Sequence, residues 1–125
     1  MENQIKILIV EDDDLLQSAL MSRFQTEGYN VLVANNGEEG LALFLSETPN
    51  VVISDVVMPK MDGVQMFAQI KEKRPDDMTP IIMLTNSDDM NNLASALKNH
   101  TVTHLLKSGL KLDDLVKIVK EKLGL

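Results

Sequence analysis

The chain contains no cysteine among its 125 residues, which excludes disulfides, thiolate zinc sites and cysteine nucleophiles. Long apolar runs are also missing. No stretch approaches the ~20 residues needed to span a bilayer. The first short run, Ile5 to Val10, follows an acidic, polar N-terminus and meets four acids, Glu11, Asp12, Asp13 and Asp14. That order is not a secretory signal, so the expected location is the cytoplasm. Basic charge is scarce, with 12 Lys and Arg against 19 acids for a formal charge of −7. Residues 1–64 hold 11 acids and 3 bases, while residues 65–125 hold 8 and 9. Nucleic-acid binding needs a basic face that displaces counterions, so a DNA-reading role for this chain is not expected. Internal repeats, low-complexity segments and linkers are absent as well. With 44% hydrophobic and 25% charged residues, the composition fits one soluble globular domain over residues 1–125.

Short apolar runs alternate with segments of helical period. Ile5–Val10, Val31–Ala34, Val51–Ser54, Ile81–Thr85 and Val102–Leu106 read as strands covered on both faces. Between them run stripes of 3.6 period: Leu16, Ala19, Leu20 and Phe24; Leu41, Phe44 and Leu45; Val64, Phe67 and Ile70; Met90, Leu93, Ala94 and Leu97; and Leu112, Leu115, Val116, Val119 and Leu123. Each suits a helix packed on one side. Asn36-x-x-Glu39 and Asp62-x-x-Gln65 have capping-box spacing, and Gly28 is placed to stop the first helix. Strict alternation with short connections predicts a doubly wound α/β fold of five βα units, a three-layer sandwich around a five-stranded parallel sheet.

In such sheets ligands collect beyond the carboxyl ends of the strands. The first strand is followed by Glu11 to Asp14, the third by Asp55, the fourth by Thr85 and Asn86, and the fifth by Lys107. The second ends blandly in Ala34 and Asn35, as an edge strand away from the site can. Carboxylates gathered beside Asp55 repel one another and raise their pKa values unless a cation intervenes. Oxygen-only ligation with an incomplete protein shell suits Mg2+, which completes its shell with water and phosphate oxygens. Lys107 can neutralise a further oxygen, Thr85 can donate to another, and backbone amides after Asp55 and Thr85, those of Val57 and Asn86, can supply the rest. A carboxylate nucleophile in that setting can accept a phosphoryl group. Asp13 and Asp14 suit the positive end of a helix dipole, with a direct metal contact by Asp13 the alternative. The eight methionines read as gap-fillers and loop residues, with Met58 and Met61 also placed where a partner could touch them. His100 reads as a loop residue.

Four segments, "ILIVEDDD" (7–14), "VVISDVVMPKMDG" (51–63), "IIMLTN" (81–86) and "THLLKS" (103–108), give the chain its resemblance to the receiver domain of two-component response regulators. The resemblance covers essentially the whole chain and implies strand order 2-1-3-4-5. It also implies a phosphoryl-accepting signalling switch that catalyses only its own phosphorylation and dephosphorylation. Asp55 would take the phosphoryl group from a phosphohistidine of a sensor kinase or phosphotransfer protein. Asp12 would ligate Mg2+ directly, Glu11 through water, with Asp55 and the Val57 carbonyl completing the protein ligands. Thr85 and Lys107 would engage the new phosphoryl group, and Thr85 with residue 104 would shift together. That shift would remodel the surface of the fourth helix, fifth strand and last helix, which binds a downstream protein. Pro59 and Gly63 match the loop after the phosphoacceptor. The state implied is a monomer or a phosphorylation-promoted dimer. With no effector domain in these residues, the expectation is either a stand-alone regulator or a receiver excised from a longer protein, the start and the "KEKLGL" end favouring the first.

The chain departs from the family pattern at several positions. Ser108 replaces the usual proline after Lys107, and a cis bond before serine costs roughly 2.5–4 kcal/mol, so a trans peptide is expected. His104 stands where a switch aromatic is usual; it reads either as a pH-sensitive switch or as a partly exposed strand residue. Asn86 and Val57 flank the phosphoryl site and can restrict the attacking water, implying a long-lived phosphorylated state. "NHTV" (99–102) lacks the small pair usual before the last strand. Three other functions remain as alternatives. A phosphorylation-independent interaction module is the first. A Mg2+-dependent aspartyl-phosphate-type phosphatase would need an acid where Val57 stands. A flavodoxin-like cofactor binder would need a Ser/Thr/Gly-rich loop where "EDDD" stands.

Overall fold

Five parallel strands form one sheet in the order β2-β1-β3-β4-β5: β1 (Lys6–Val10), β2 (Asn30–Ala34), β3 (Val51–Asp55), β4 (Ile81–Thr85) and β5 (Val102–Leu106). The computed structural model describes residues 4–86 and 101–125. Four described helices accompany the sheet: α1 (Asp14–Thr26), α2 (Gly37–Glu47), α3 (Gly63–Lys73) and α4 (Leu112–Lys122). Each strand lies within one residue of its predicted bounds at either end. The stripe Met90, Leu93, Ala94 and Leu97, the loop residue His100 and residues 99–100 of the "NHTV" segment lie outside the described residues.

Burial explains why the strands read as continuous apolar runs. β3 and β4 are buried at every position, β1 at all but its first residue, and the edge strand β2 only at Ala34. Alternate residues serve opposite layers. Leu8, Val10, Val52 and Met83 pack with Phe44, Met66, Phe67 and Ile70 of α2 and α3. Ile7, Ile9, Ile53, Ile82 and Leu84 pack with Leu20 and Phe24 of α1 and Leu115, Val116 and Val119 of α4. Each such side chain contributes about 1.5–3 kcal/mol of transfer free energy. Met58 is buried in the first of these clusters, a core filler, and the half-buried Met61 packs against it. Ala19 is exposed, because α1 buries only Leu20 and Phe24, with Leu16 partly buried beside them.

Local signals set the helix ends. α1 stops in a Schellman motif. Gly28 takes φ +96°, its N–H donates to the Gln25 carbonyl (3.0 Å), and that of Tyr29 donates to the Phe24 carbonyl (3.2 Å). The Phe24 and Tyr29 rings, 6.2 Å apart, add the apolar contact that accompanies this motif. Asp13 caps α1 by accepting from the amides of Leu15 and Leu16. Asp62 and Gln65 complete a reciprocal capping box on α3. At α2 the box is offset by one residue: Asn36 accepts from the Glu39 amide, but the Glu39 carboxylate reaches the amide of Asn35 rather than that of Asn36.

Candidate functional site

The carboxyl ends of β1, β3, β4 and β5 meet at one edge of the sheet, and register decides what gathers there. Val10 pairs with Ser54, Asp55 with Leu84, and Thr85 with Leu106. Glu11, Asp55, Thr85 and Lys107 are therefore each the last residue of a strand or the first beyond it. A carboxylate oxygen from each of Glu11, Asp12 and Asp55 lies within 4.8 Å of the others.

The consecutive acids of the first loop differ sharply in environment. Glu11 is only 1% exposed, whereas Asp12 faces solvent. Glu11 Oε2 accepts from the Asp13 amide at 3.1 Å. Its Oε1 is buried, lies 3.4 Å from Lys107 Nζ, and has no hydrogen-bond partner among the described residues. Burial pushes the Glu11 carboxyl up to about 7, the Asp13 amide opposes the rise, Asp55 adds to it and Lys107 reduces it.

Asp55 is 7% exposed and held from two sides. The Val56 amide donates to Oδ1 at 2.8 Å, and Lys107 Nζ donates to Oδ2 at 2.8 Å. Burial disfavours the Lys107 ammonium, but the hydrogen bond and charge of Asp55, with Glu11 behind, hold its pKa above the ordinary value. The Lys107 backbone is anchored as well, its N–H donating to the Thr85 carbonyl at 2.7 Å. No cis peptide occurs among the described residues, so the Lys107–Ser108 bond is trans, as expected before serine. Thr85 is buried, and its hydroxyl donates to the Asn86 carbonyl at 3.3 Å.

The loop after Asp55 is shaped by two close approaches. The Gly63 N–H donates to the Val56 carbonyl at 2.8 Å, and a Cβ on Gly63 would lie 2.6 Å from the Asp55 carbonyl oxygen. At the first residue of α2, the Gly37 N–H donates to the Met61 carbonyl at 2.9 Å, and a Cβ there would lie 2.3 Å from that oxygen. Val57 stands between these anchors, 62% exposed. Its neighbour Val56 spends its amide on Asp55 and the Leu84 carbonyl. Asn86 is exposed at the end of β4. His104 is not at this edge. It lies within β5 in register with Met83, and burial lowers its pKa. Its Nε2 is buried without a hydrogen-bond partner among the described residues.

Two polar side chains beside the acids, Gln17 and Asn35, carry no signal in the sequence. The Gln17 side-chain amide donates to the Glu11 carbonyl (2.9 Å), the Asn35 Oδ1 (2.9 Å) and the Ala34 carbonyl (3.3 Å). The Glu11 amide donates to the same Ala34 carbonyl at 3.0 Å. The end of β2, bland as sequence, therefore braces the acidic loop.

Fold and site together define a doubly wound α/β domain with a carboxylate pocket, lysine-paired, at its strand ends. The profile described as "Response regulator receiver domain" matches residues 7–120, and the chain belongs to that family. It is 41% identical over 98 residues to the probable transcriptional regulator ycf27 of Guillardia theta, covering 78% of this chain and 37% of that protein. The chain spans about a third of the length of the curated relatives it matches. The crystal structure of a CheY-like response regulator receiver domain protein from Methanospirillum hungatei JF-1 superposes with a TM-score of 0.86 at 28% identity, over 98% of this chain and 95% of that one. The response regulator protein TrrA from Thermotoga maritima, solved in complex with Mg2+-BeF, gives a TM-score of 0.81 at 30% identity, over 96% of this chain and 100% of that one. Among the described residues, no helix is long and apolar enough to cross a membrane.

Proposed function

We propose that this chain is a phosphoryl-accepting signalling switch, with Asp55 taking the phosphoryl group from a phosphohistidine of a sensor histidine kinase or a histidine phosphotransfer protein. The observation that carries this reading is the environment of Asp55. It is a buried carboxylate with one oxygen held by a backbone amide and the other paired to Lys107, beside two more acids. The Val56 amide fixes Oδ1, which leaves Oδ2 on the pocket side as the attacking oxygen. As the O–P bond forms, the P–N bond to the donor imidazole breaks and the imidazole nitrogen keeps the electron pair. Lys107 is then released from Oδ2 and can pair with a phosphoryl oxygen.

The donor set fits Mg2+, a hard cation that takes oxygen ligands and retains water. Glu11, Asp12, Asp55 and the Val57 carbonyl would hold it, and the buried Oε1 of Glu11, which has the Lys107 ammonium at 3.4 Å but no hydrogen-bond partner among the described residues, is a position that a hydrated cation would satisfy. When bound, the ion neutralises charge on the phosphoryl oxygens. Val57 and Asn86 supply backbone amides to the same group. Thr85, whose hydroxyl among the described residues makes a long bond to the Asn86 carbonyl, can turn toward it. Residues 1–125 act as the receiver, His104 responds with Thr85, and the altered surface around β5 and α4 binds a downstream protein in the cytoplasm. The chain acts as a monomer or as a dimer promoted by phosphorylation, without contacting nucleic acid itself.

Intact-mass spectrometry after incubation with Mg2+ and a small-molecule phosphodonor tests this. A single phosphoryl adduct that requires Mg2+ and is lost in Asp55→Asn is expected. A folded protein that forms no adduct would leave a phosphorylation-independent binding module as the function.

A further inference from the structure

The acidic loop projects from the end of β1, and its geometry depends on how the Glu11–Asp12 peptide is held. Both backbone groups of Glu11 are tied. Its N–H donates across the sheet to the Ala34 carbonyl at 3.0 Å, and its C=O accepts from Gln17 Nε2 at 2.9 Å. The first bond holds the Val10–Glu11 peptide, and the second holds the Glu11–Asp12 peptide that leads into Asp12. Gln17 sits on the first turn of α1, half-buried, and its amide orientation is determined by its partners. Glu39 can only accept, and it takes a hydrogen bond from Asn35 Nδ2 at 3.4 Å. That turns Asn35 Oδ1 toward Gln17, which donates to it at 2.9 Å. With the carbonyls of Glu11 and Ala34 as its remaining neighbours, every partner of the Gln17 nitrogen is an acceptor.

We propose that Gln17 is a positioning residue for the divalent-cation site, holding the Glu11–Asp12 backbone so that both carboxylates stay in the cluster with Asp55. This rests on the reading of those acids as the cation holders. Gln17 touches neither the cation nor the phosphoryl group, and acts through the Glu11 carbonyl. Partners that orient metal ligands from behind typically contribute 10–100-fold in metal affinity.

The test is a Mg2+ titration by calorimetry of the full chain, run beside urea denaturation, on Gln17→Met, Gln17→Glu and Asn50→Ala. Methionine keeps the length of the side chain and removes its donors. Glutamate keeps the shape and adds a negative charge, which on charge alone would tighten cation binding. Asn50→Ala is the control, because its Oδ1 accepts from the Lys6 amide at 2.8 Å and so braces the opposite end of β1 in the same manner. Both Gln17 variants are expected to weaken Mg2+ binding about tenfold, while the Asn50 variant stays within about twofold at a comparable loss of stability. Unchanged affinity in Gln17→Met, tighter binding in Gln17→Glu, or an equal loss in Asn50→Ala would overturn the proposal. A wild-type chain that does not bind Mg2+ would instead overturn the reading of the acids on which it rests.

Discussion

Glu11 makes the folded protein sensitive to pH and to cations in a way that can be worked through. Its carboxyl titrates at about 7 in the folded chain against 4.5 in the unfolded one. Below pH 4.5 both states hold the proton, and the difference vanishes. Between 4.5 and about 7 the unfolded chain ionises first, so stability falls as pH rises; above 7 the full penalty applies. That interval corresponds to about 3 kcal/mol against the buried anion. Glu11→Gln removes the penalty while keeping an oxygen for the Asp13 amide. Its amide nitrogen faces Lys107, which stays paired to Asp55, so the net gain at pH 8 is about 2 kcal/mol. In urea with EDTA this moves the midpoint upward by about 1 M, and the gain shrinks toward zero at pH 4. With Mg2+ at a hundred times its Kd the wild type recovers about 2.7 kcal/mol, and the variant loses its advantage. A midpoint difference independent of pH, or one that Mg2+ leaves intact, would refute the reasoning.

Two glycines should respond differently to alanine. At Gly28 nothing lies within 4 Å of an added Cβ but φ is +96°, so Gly28→Ala should cost about 1 kcal/mol by urea denaturation. At Gly37 the added Cβ would meet the Met61 carbonyl oxygen at 2.3 Å, and Gly37→Ala should cost about 1–3 kcal/mol. It should also slow adduct formation, since the displaced loop carries Val57; a rate equal to that of Gly28→Ala would refute this. For His104, burial favours the neutral ring, so its contribution to stability is complete above the unfolded value of 6.5 and is lost as pH falls through the lower folded value. His104→Asn should flatten the stability profile of the Mg2+-free protein below pH 6.5, and an unchanged slope would show that the ring takes up its proton without cost.

Much of the fold was legible because burial on both faces leaves a simple mark. Val51 to Ser54 and Ile81 to Leu84 are unbroken apolar or small runs, and no register choice can hide them. The site was legible for a related reason: with the strands known, whatever follows each one must meet at the same edge, which brought Glu11, Asp55, Thr85 and Lys107 together on paper. The contrast between neighbouring acids was not legible. Glu11 and Asp12 are both acids in the sequence, yet one is buried against Lys107 and the other faces water. Gln17 escaped notice because two of its three partners are main-chain carbonyls, which every residue carries, and Asn35 because it acts through the side chains of Gln17 and Glu39. The offset box at α2 has the same origin, since the spacing of Asn36 and Glu39 says nothing about which amide the carboxylate reaches.

The central claim is that Asp55 itself carries the phosphoryl group, and borohydride trapping followed by peptide mass spectrometry tests it most directly. Reduction of an acyl phosphate converts the modified aspartate to homoserine. The account predicts homoserine at position 55, dependent on both Mg2+ and the phosphodonor. Homoserine at Asp12 or Asp13 in place of Asp55, or a phosphoryl group that withstands borohydride, would contradict it.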